Sequence, residues 1–239
     1  RTAMVFATDN HQNNAILVTS ASPKEGKTSV AANLAKTLAA GGDRVLLMDC
    51  DLRRPSIHRI LKAPAGARGL TNYLAERTAQ IEDFVVPGPQ PNLFVLYSGP
   101  TPPNPPELFS MKRFKDLIVR FKGEYSWVIM DSPPCLSISD AFILGGMADR
   151  AILVACYKKT RKPLLERTLV TLARANVQVA GVVLNEVETH SSYYYDYYYY
   201  NHYYYSTGTE PKRLPWILGK SGGWKDVFKG KKHRREYPE

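Results

Sequence analysis

The residues Ala21-Ser22-Pro23-Lys24-Glu25-Gly26-Lys27-Thr28 combine a Gly-containing turn with a cation and a hydroxyl in fixed order. They read A-x-x-x-x-G-K-T, a phosphate-binding loop with Ala in place of the usual first Gly. Backbone N–H groups of such a loop, and of the helix that follows, cradle phosphate groups. The candidate binding set is Ser22, Pro23, Lys24, Glu25, Gly26, Lys27, Thr28 and Ser29. Lys27 reaches the β- and γ-phosphates, and Thr28 holds Mg²⁺. Two further segments supply carboxylates. Leu46-Leu47-Met48-Asp49-Cys50-Asp51 ends an apolar run in two aspartates spaced i, i+2, and Trp127-Val128-Ile129-Met130-Asp131 ends another in one. A Mg·ATP site needs such a group of carboxylates, because Mg²⁺ keeps several waters and takes few protein ligands. One carboxylate can also accept the proton of an attacking hydroxyl.

These residues must be positioned by a frame, and the sequence describes one. Short apolar strands are expected at Ala15–Thr19, Arg44–Asp49, Leu93–Leu96, Trp127–Met130, Ala151–Ala155 and Gln178–Leu184. Helices are expected at Val30–Ala40, around Ser56–Lys62, and at Leu70–Ala75, Pro106–Phe121, Ser139–Gly145 and Pro163–Ala175. Strand and helix alternate, and several strands are continuous hydrophobic runs, as when both faces of a parallel sheet are covered. The fold class is α/β: a P-loop NTPase with a doubly wound, mostly parallel sheet, helices on both faces, and ligands at the carboxyl ends of the strands. The Pro-rich run Gly99–Pro106 is expected to be a stiff loop at that same end, because proline lacks the N–H that regular structure needs.

Asn185 closes the last strand. Its amide either reads an adenine edge or serves an ordinary turn. Arg53 and Arg54 either neutralise the acidic strand end or face phosphate or a neighbouring subunit.

The chain has 239 residues, 44% of them hydrophobic, which suffices for one sizeable domain with appendages. No run of about 18 apolar residues suggests a membrane span, and the start does not read as a signal peptide. Beginning with Arg1, the chain reads as a piece of a longer protein. Cys50, Cys135 and Cys156 are isolated, which fits a reducing compartment and neither a disulfide framework nor a zinc site. The net charge is +10, and half of the surplus lies from Ser206 onward, densest at Lys229–Arg235. Such a run is most often a solvated tail; attraction to an anionic membrane surface is the next reading, ahead of nucleic acid, for which no reading motif is present. Between the domain and the tail, ten of the chain's 15 tyrosines crowd together: Tyr193, Tyr194, Tyr195, Tyr197, Tyr198, Tyr199, Tyr200, Tyr203, Tyr204 and Tyr205. This stretch lacks both helical and strand periodicity and is expected to be poorly ordered. The resulting division is a P-loop domain over 1–190, a tyrosine cluster over 191–207 and a basic, disordered tail over 208–239.

Taken together, the loop ending Gly26-Lys27-Thr28, the run Leu46–Pro55, the segment Val128-Ile129-Met130-Asp131-Ser132-Pro133-Pro134, the stretch Pro103–Leu108 and the tyrosine cluster resemble the bacterial tyrosine kinases of capsule and exopolysaccharide co-polymerases. The resemblance spans roughly Ala15 to Tyr205. It implies an ATP- and Mg²⁺-dependent autokinase, related in fold to partition- and Min-type ATPases. Such an enzyme phosphorylates the ten tyrosines of its own tail, usually between subunits of a ring, and thereby controls polymer length and export. By position, Lys27 binds phosphate, Thr28, Asp51 and Asp131 support the metal, and Asp49 is the candidate base. The implied partners are further copies of the chain, a transmembrane co-polymerase segment fused upstream or separate, and a cognate tyrosine phosphatase. The implied location is the cytoplasmic face of the bacterial inner membrane. Two departures stand out. Lys24 occupies a position where the family often has Gly, which permits φ > 0. The ring-forming E-x-x-R-x-x-R motif would lie just before the chain, with Arg1 as its last Arg. The competing readings are a partition- or Min-type ATPase switch and a non-catalytic nucleotide-binding scaffold of a polysaccharide exporter. The first is disfavoured by Ser22, which stands where that group carries an extra Lys.

Overall fold

The computed structural model describes residues 14–188 other than 64, 65 and 137. Arg1, the tyrosine cluster and the basic tail lie outside the described residues. Seven strands form one sheet: β1 (Asn14–Ser20), β2 (Val45–Asp49), β3 (Val85–Pro87), β4 (Leu93–Leu96), β5 (Trp127–Asp131), β6 (Arg150–Cys156) and β7 (Val179–Asn185). Their spatial order is β3-β4-β2-β5-β1-β6-β7. Every neighbouring pair is parallel except β3 and β4. Strands β2 and β5 are buried along their whole length, which explains why they read as unbroken apolar runs.

Helices cover both faces. On one face, α1 (Lys27–Ala40) and α2 (Ile57–Ile60) pack Ala31, Ala35, Leu38 and Ile57 against Ile16, Val18, Leu47 and Ile129. On the other face lie α3 (Leu70–Ala75), α4 (Pro105–Ser110), α5 (Lys112–Glu124), α6 (Asp140–Gly145) and α7 (Lys162–Arg174). There Leu70, Phe109, Phe114, Phe121, Leu144 and Leu172 pack against Leu17, Leu46, Met48, Val128 and Leu153. The run of small residues in α1 lets it lie close over the central strands, which brings its N-terminus to the carboxyl ends of β1 and β5.

The structure differs from the sequence expectation in three places. The helix expected at Pro106–Phe121 is two helices. Met111 between them takes extended backbone, φ −60° and ψ 140°, and breaks the ladder. The Pro-rich loop ends earlier than expected, because Pro105 and Pro106 form the first turn of α4, where their missing N–H groups would have had no partner in any case. The strand β3 was not expected. It is three residues long, ends in a proline and pairs antiparallel at the edge, so it carries neither a long hydrophobic run nor a clear alternation.

The face beneath α5 gives a direct test of this packing. Phe121 is 1% exposed, and its ring meets Tyr125 edge to face at 5.7 Å. Val119, on the same helix, is 72% exposed. Phe121→Ala is expected to lower stability by about 3–5 kcal/mol, and Val119→Ala by less than about 0.5 kcal/mol, as read by denaturant unfolding.

Candidate active site

The phosphate loop leaves β1 and enters α1 through two residues in left-handed backbone. Gly26 has φ 87°, and a Cβ added there would lie 1.9 Å from Asn185 Nδ2. Lys24 has φ 62°. The loop therefore keeps the shape that a Gly at position 24 would adopt freely, and Lys24 holds it at a cost of about 1–2 kcal/mol.

Parallel pairing then assembles the acidic residues. Strand β5 lies between β1 and β2, with Val18 opposite Asp131 and Asp49 opposite Asp131 in register. All three aspartates are nearly or fully buried: Asp49 is 1%, Asp51 3% and Asp131 0% exposed. Lys27 Nζ donates to Asp51 Oδ2 at 2.9 Å and lies 3.4 Å from Thr28 Oγ1. Asp51 Oδ1 accepts from the Arg54 backbone N–H at 3.0 Å. Asp49 Oδ2 accepts from the Ser56 and Ile57 N–H groups at 3.1 and 3.0 Å, so it caps α2 from a distant strand. Ser56 Oγ donates to Thr28 Oγ1 at 3.2 Å.

Among the described residues, the buried side-chain oxygens without a hydrogen-bond partner are Asp49 Oδ1 and both oxygens of Asp131. Buried carboxylates left this way are costly unless something neutralises them. Burial raises the Asp49 pKa to about 6 and that of Asp131 to about 8, against the attraction of Lys27. Burial also opposes the Lys27 ammonium, but Asp131, Asp51 and Asp49 outweigh it and hold its pKa above the ordinary value. Among the described residues no three His, Cys, Asp or Glu side chains converge as a metal cage. A Thr hydroxyl beside unpartnered carboxylate oxygens fits Mg²⁺, which draws most of its ligands from water and phosphate.

The remaining sequence candidates are placed as follows. Ser22 N–H donates to Glu25 Oε2 at 2.7 Å. Ser29 is exposed in the first turn of α1, and Pro23 and Lys24 are exposed on the loop. Asn185 Nδ2 donates to the Glu25 carbonyl at 3.2 Å, so the amide rests against the phosphate loop itself. Arg53 turns away from the acidic strand end and forks onto Asp140 at the start of α6, with Nε–Oδ2 at 2.9 Å. The Arg54 backbone N–H, not its guanidinium, is what meets Asp51. The three cysteines are free and buried. Sequence reasoning missed the Ser56 hydroxyl on Thr28 and the capping of α2 by Asp49. The first contact joins residues 28 positions apart and the second residues seven and eight apart, where no periodic signal exists.

Replacing Asp131 tests the electrostatic cost. Its folded pKa of about 8 lies above the unfolded value near 3.9, so the folded state binds the extra proton between those values. Its contribution to stability therefore falls as pH rises from about 4 to about 8. Asp131→Asn is expected to raise the thermal midpoint of the metal-free protein at pH 8 and to flatten its pH dependence, while weakening Mg²⁺-dependent nucleotide binding. Melting curves from pH 5 to 8 measure the first effect, and titration with Mg·ATP the second.

Residues 16–203 match the CobQ/CobB/MinD/ParA nucleotide binding domain. The chain is 39% identical over 197 residues to the tyrosine-protein kinase YwqD of Bacillus subtilis, covering 82% of each. It is 36% identical over 197 residues to the tyrosine-protein kinase wzc of Salmonella typhimurium, covering 82% of this chain but only 27% of that protein. Among solved structures it is similar to the kinase domain of the Escherichia coli tyrosine kinase ETK, with a TM-score of 0.75 and 32% identity over 80% of this chain and 74% of that one. The phosphate loop, the three strand-end aspartates and these likenesses agree: the chain belongs to the CobQ/CobB/MinD/ParA nucleotide-binding family and, within it, to the bacterial tyrosine-protein kinases.

Proposed function

We propose that the protein transfers the γ-phosphoryl group of Mg·ATP to the tyrosines of its own C-terminal cluster, Tyr193–Tyr205, on a neighbouring copy. The observation that carries this reading is the meeting of Lys27, Thr28 and three buried aspartates at one end of the sheet, two of them with unpartnered oxygens. Lys27 would leave Asp51 for the β- and γ-phosphates. Thr28, Asp51 and Asp131 would hold Mg²⁺, which when bound neutralises charge on the transferring group. Asp49 would accept the tyrosine proton. Its pKa of about 6 supports this, since a base works best with a pKa near the operating pH. Tyrosine needs such help because its own pKa is near 10. Each phosphate then adds about −1.5 to −2 charges, so a multiply modified tail would repel its neighbours and act as a graded charge switch.

The kinship with tyrosine-protein kinases supports the reaction itself, and the proposal extends to its setting: association with a transmembrane co-polymerase segment, a ring of copies, control of exopolysaccharide or capsule export, and reversal by a tyrosine phosphatase. Among the described residues no helix is long and apolar enough to cross a membrane; in this proposal the partner segment holds the domain at the cytoplasmic face of the inner membrane.

Intact-mass spectrometry after incubation with Mg·ATP tests the reading. Successive gains of about 80 Da per phosphoryl group, mapping to Tyr193–Tyr205, are expected. Lys27→Met should reduce them at least about 100-fold, and changing all ten tyrosines to Phe should remove most of the label while ATP binding persists. Release of free phosphate with no mass gain would favour the ATPase switch instead. The rate is also expected to fall as pH drops through about 6, where Asp49 gains its proton. Asp49→Asn should lower kcat by about 100-fold or more with little change in nucleotide affinity.

A further inference from the structure

Glu25 presents a physical puzzle. A carboxylate, 1% exposed, sits inside a loop whose task is to attract phosphate. Its partners explain the choice. Oε2 accepts the Ser22 N–H at 2.7 Å, and Oε1 accepts the Thr160 hydroxyl at 2.5 Å. Thr160 Oγ1 in turn accepts the Cys156 N–H at 2.8 Å, which fixes the hydroxyl to the end of β6. Two more bonds reach the loop from the same side. Lys159 Nζ donates to the Lys24 carbonyl at 2.6 Å, and Asn185 Nδ2 donates to the Glu25 carbonyl at 3.2 Å.

In a trans peptide the carbonyl and the next N–H point in opposite directions. Holding the Lys24 and Glu25 carbonyls outward therefore turns the Glu25 and Gly26 N–H groups inward, toward the place where phosphate binds. The same bonds hold Lys24 in its left-handed conformation, φ 62°, which a non-Gly residue leaves readily unless its surroundings fix it.

We infer that Thr160 and Glu25, with Lys159 and Asn185, are positioning residues for phosphate binding, a brace that keeps the loop's N–H groups aimed despite Lys24. The inference rests on the reading of this loop as the ATP site. It makes the β6–α7 connection, 135 residues from the loop in sequence, part of the nucleotide site without touching the nucleotide.

The test is the dissociation constant for Mg·ATP, measured by calorimetry on the whole chain, in two backgrounds. Thr160→Val is expected to weaken binding roughly tenfold, equivalent to about 1.4 kcal/mol, and Thr160→Ser, which keeps the hydroxyl, to recover most of the loss. Glu25→Gln, which leaves the Cys156 bond in place, is expected to weaken binding by a similar factor. With Lys24→Gly the left-handed position is no longer strained, so adding Thr160→Val should then cost less than about threefold, a coupling visible in a double-mutant cycle. Thr160→Val leaves Glu25 and the Cys156 N–H each short of a partner and is expected to lower the melting midpoint, so affinities are compared well below the midpoint of every variant. Equal losses in both backgrounds, or a Thr160→Val protein that binds like the parent, would overturn the brace. So would a lowered midpoint with unchanged affinity, which is the pattern of a merely structural contact. Failure of the parent to bind Mg·ATP would instead overturn the ATP reading on which the inference stands.

Discussion

Two carboxylates facing each other across adjacent buried strands set the terms for the rest of this molecule. Asp49 and Asp131 are register partners at the ends of β2 and β5, both essentially without solvent contact. A buried carboxylate must be hydrogen-bonded, neutralised or protonated, and the surrounding structure supplies each remedy in part. The first turn of α2 donates two N–H groups to Asp49. Lys27 brings a positive charge close to all three aspartates. Asp131 is left with both oxygens unpartnered, and burial drives its pKa to about 8. Such a group destabilises the fold, and its retention is intelligible where a cation is to be bound. Strain and unsatisfied charge of this kind concentrate at functional sites.

Much of this was legible in the sequence, for a physical reason. In a parallel sheet covered on both faces, every central strand is an unbroken apolar run, and its polar residues can appear only where it ends. Asp49 and Asp131 mark those ends in the one-dimensional text. Together with Gly26-Lys27-Thr28 they mark the mouth of the site and imply the fold that builds it. The edge strand β3 was illegible, because three residues ending in Pro87 carry too little pattern. The split at Met111 was hidden because apolar spacing continues through it, and only the backbone angle reveals the break. Pro105 lies in the expected Pro-rich loop yet opens α4 beside Pro106, because the first turn is where helices tolerate proline.

Polar partnerships were the least legible part. Arg53 has acidic residues two and four positions before it, yet it pairs with Asp140, 87 residues on. Asn185 stands where a ligand contact was conceivable and rests on the phosphate loop. Glu25 reads as one more loop residue and is the point where two distant segments meet, at Thr160 and Asn185. Side-chain hydrogen bonds are short-ranged and follow no period, so only the folded chain shows which of several nearby donors and acceptors have found each other.

The strand order carries a consequence for how the protein comes into being. The phosphate loop and the first aspartates are made early, but β5, which separates β1 from β2 in the sheet, is encoded more than a hundred residues after β1. The contacts that fasten the loop arrive later still, from residues 159, 160 and 185. Contacts so remote along the chain form slowly, because large loops must close before they gain anything. During synthesis the emerging polypeptide therefore carries the residues of the phosphate loop long before it carries a working pocket. The brace inferred above would then make nucleotide binding wait for β7, the last strand of the described sheet to be synthesised.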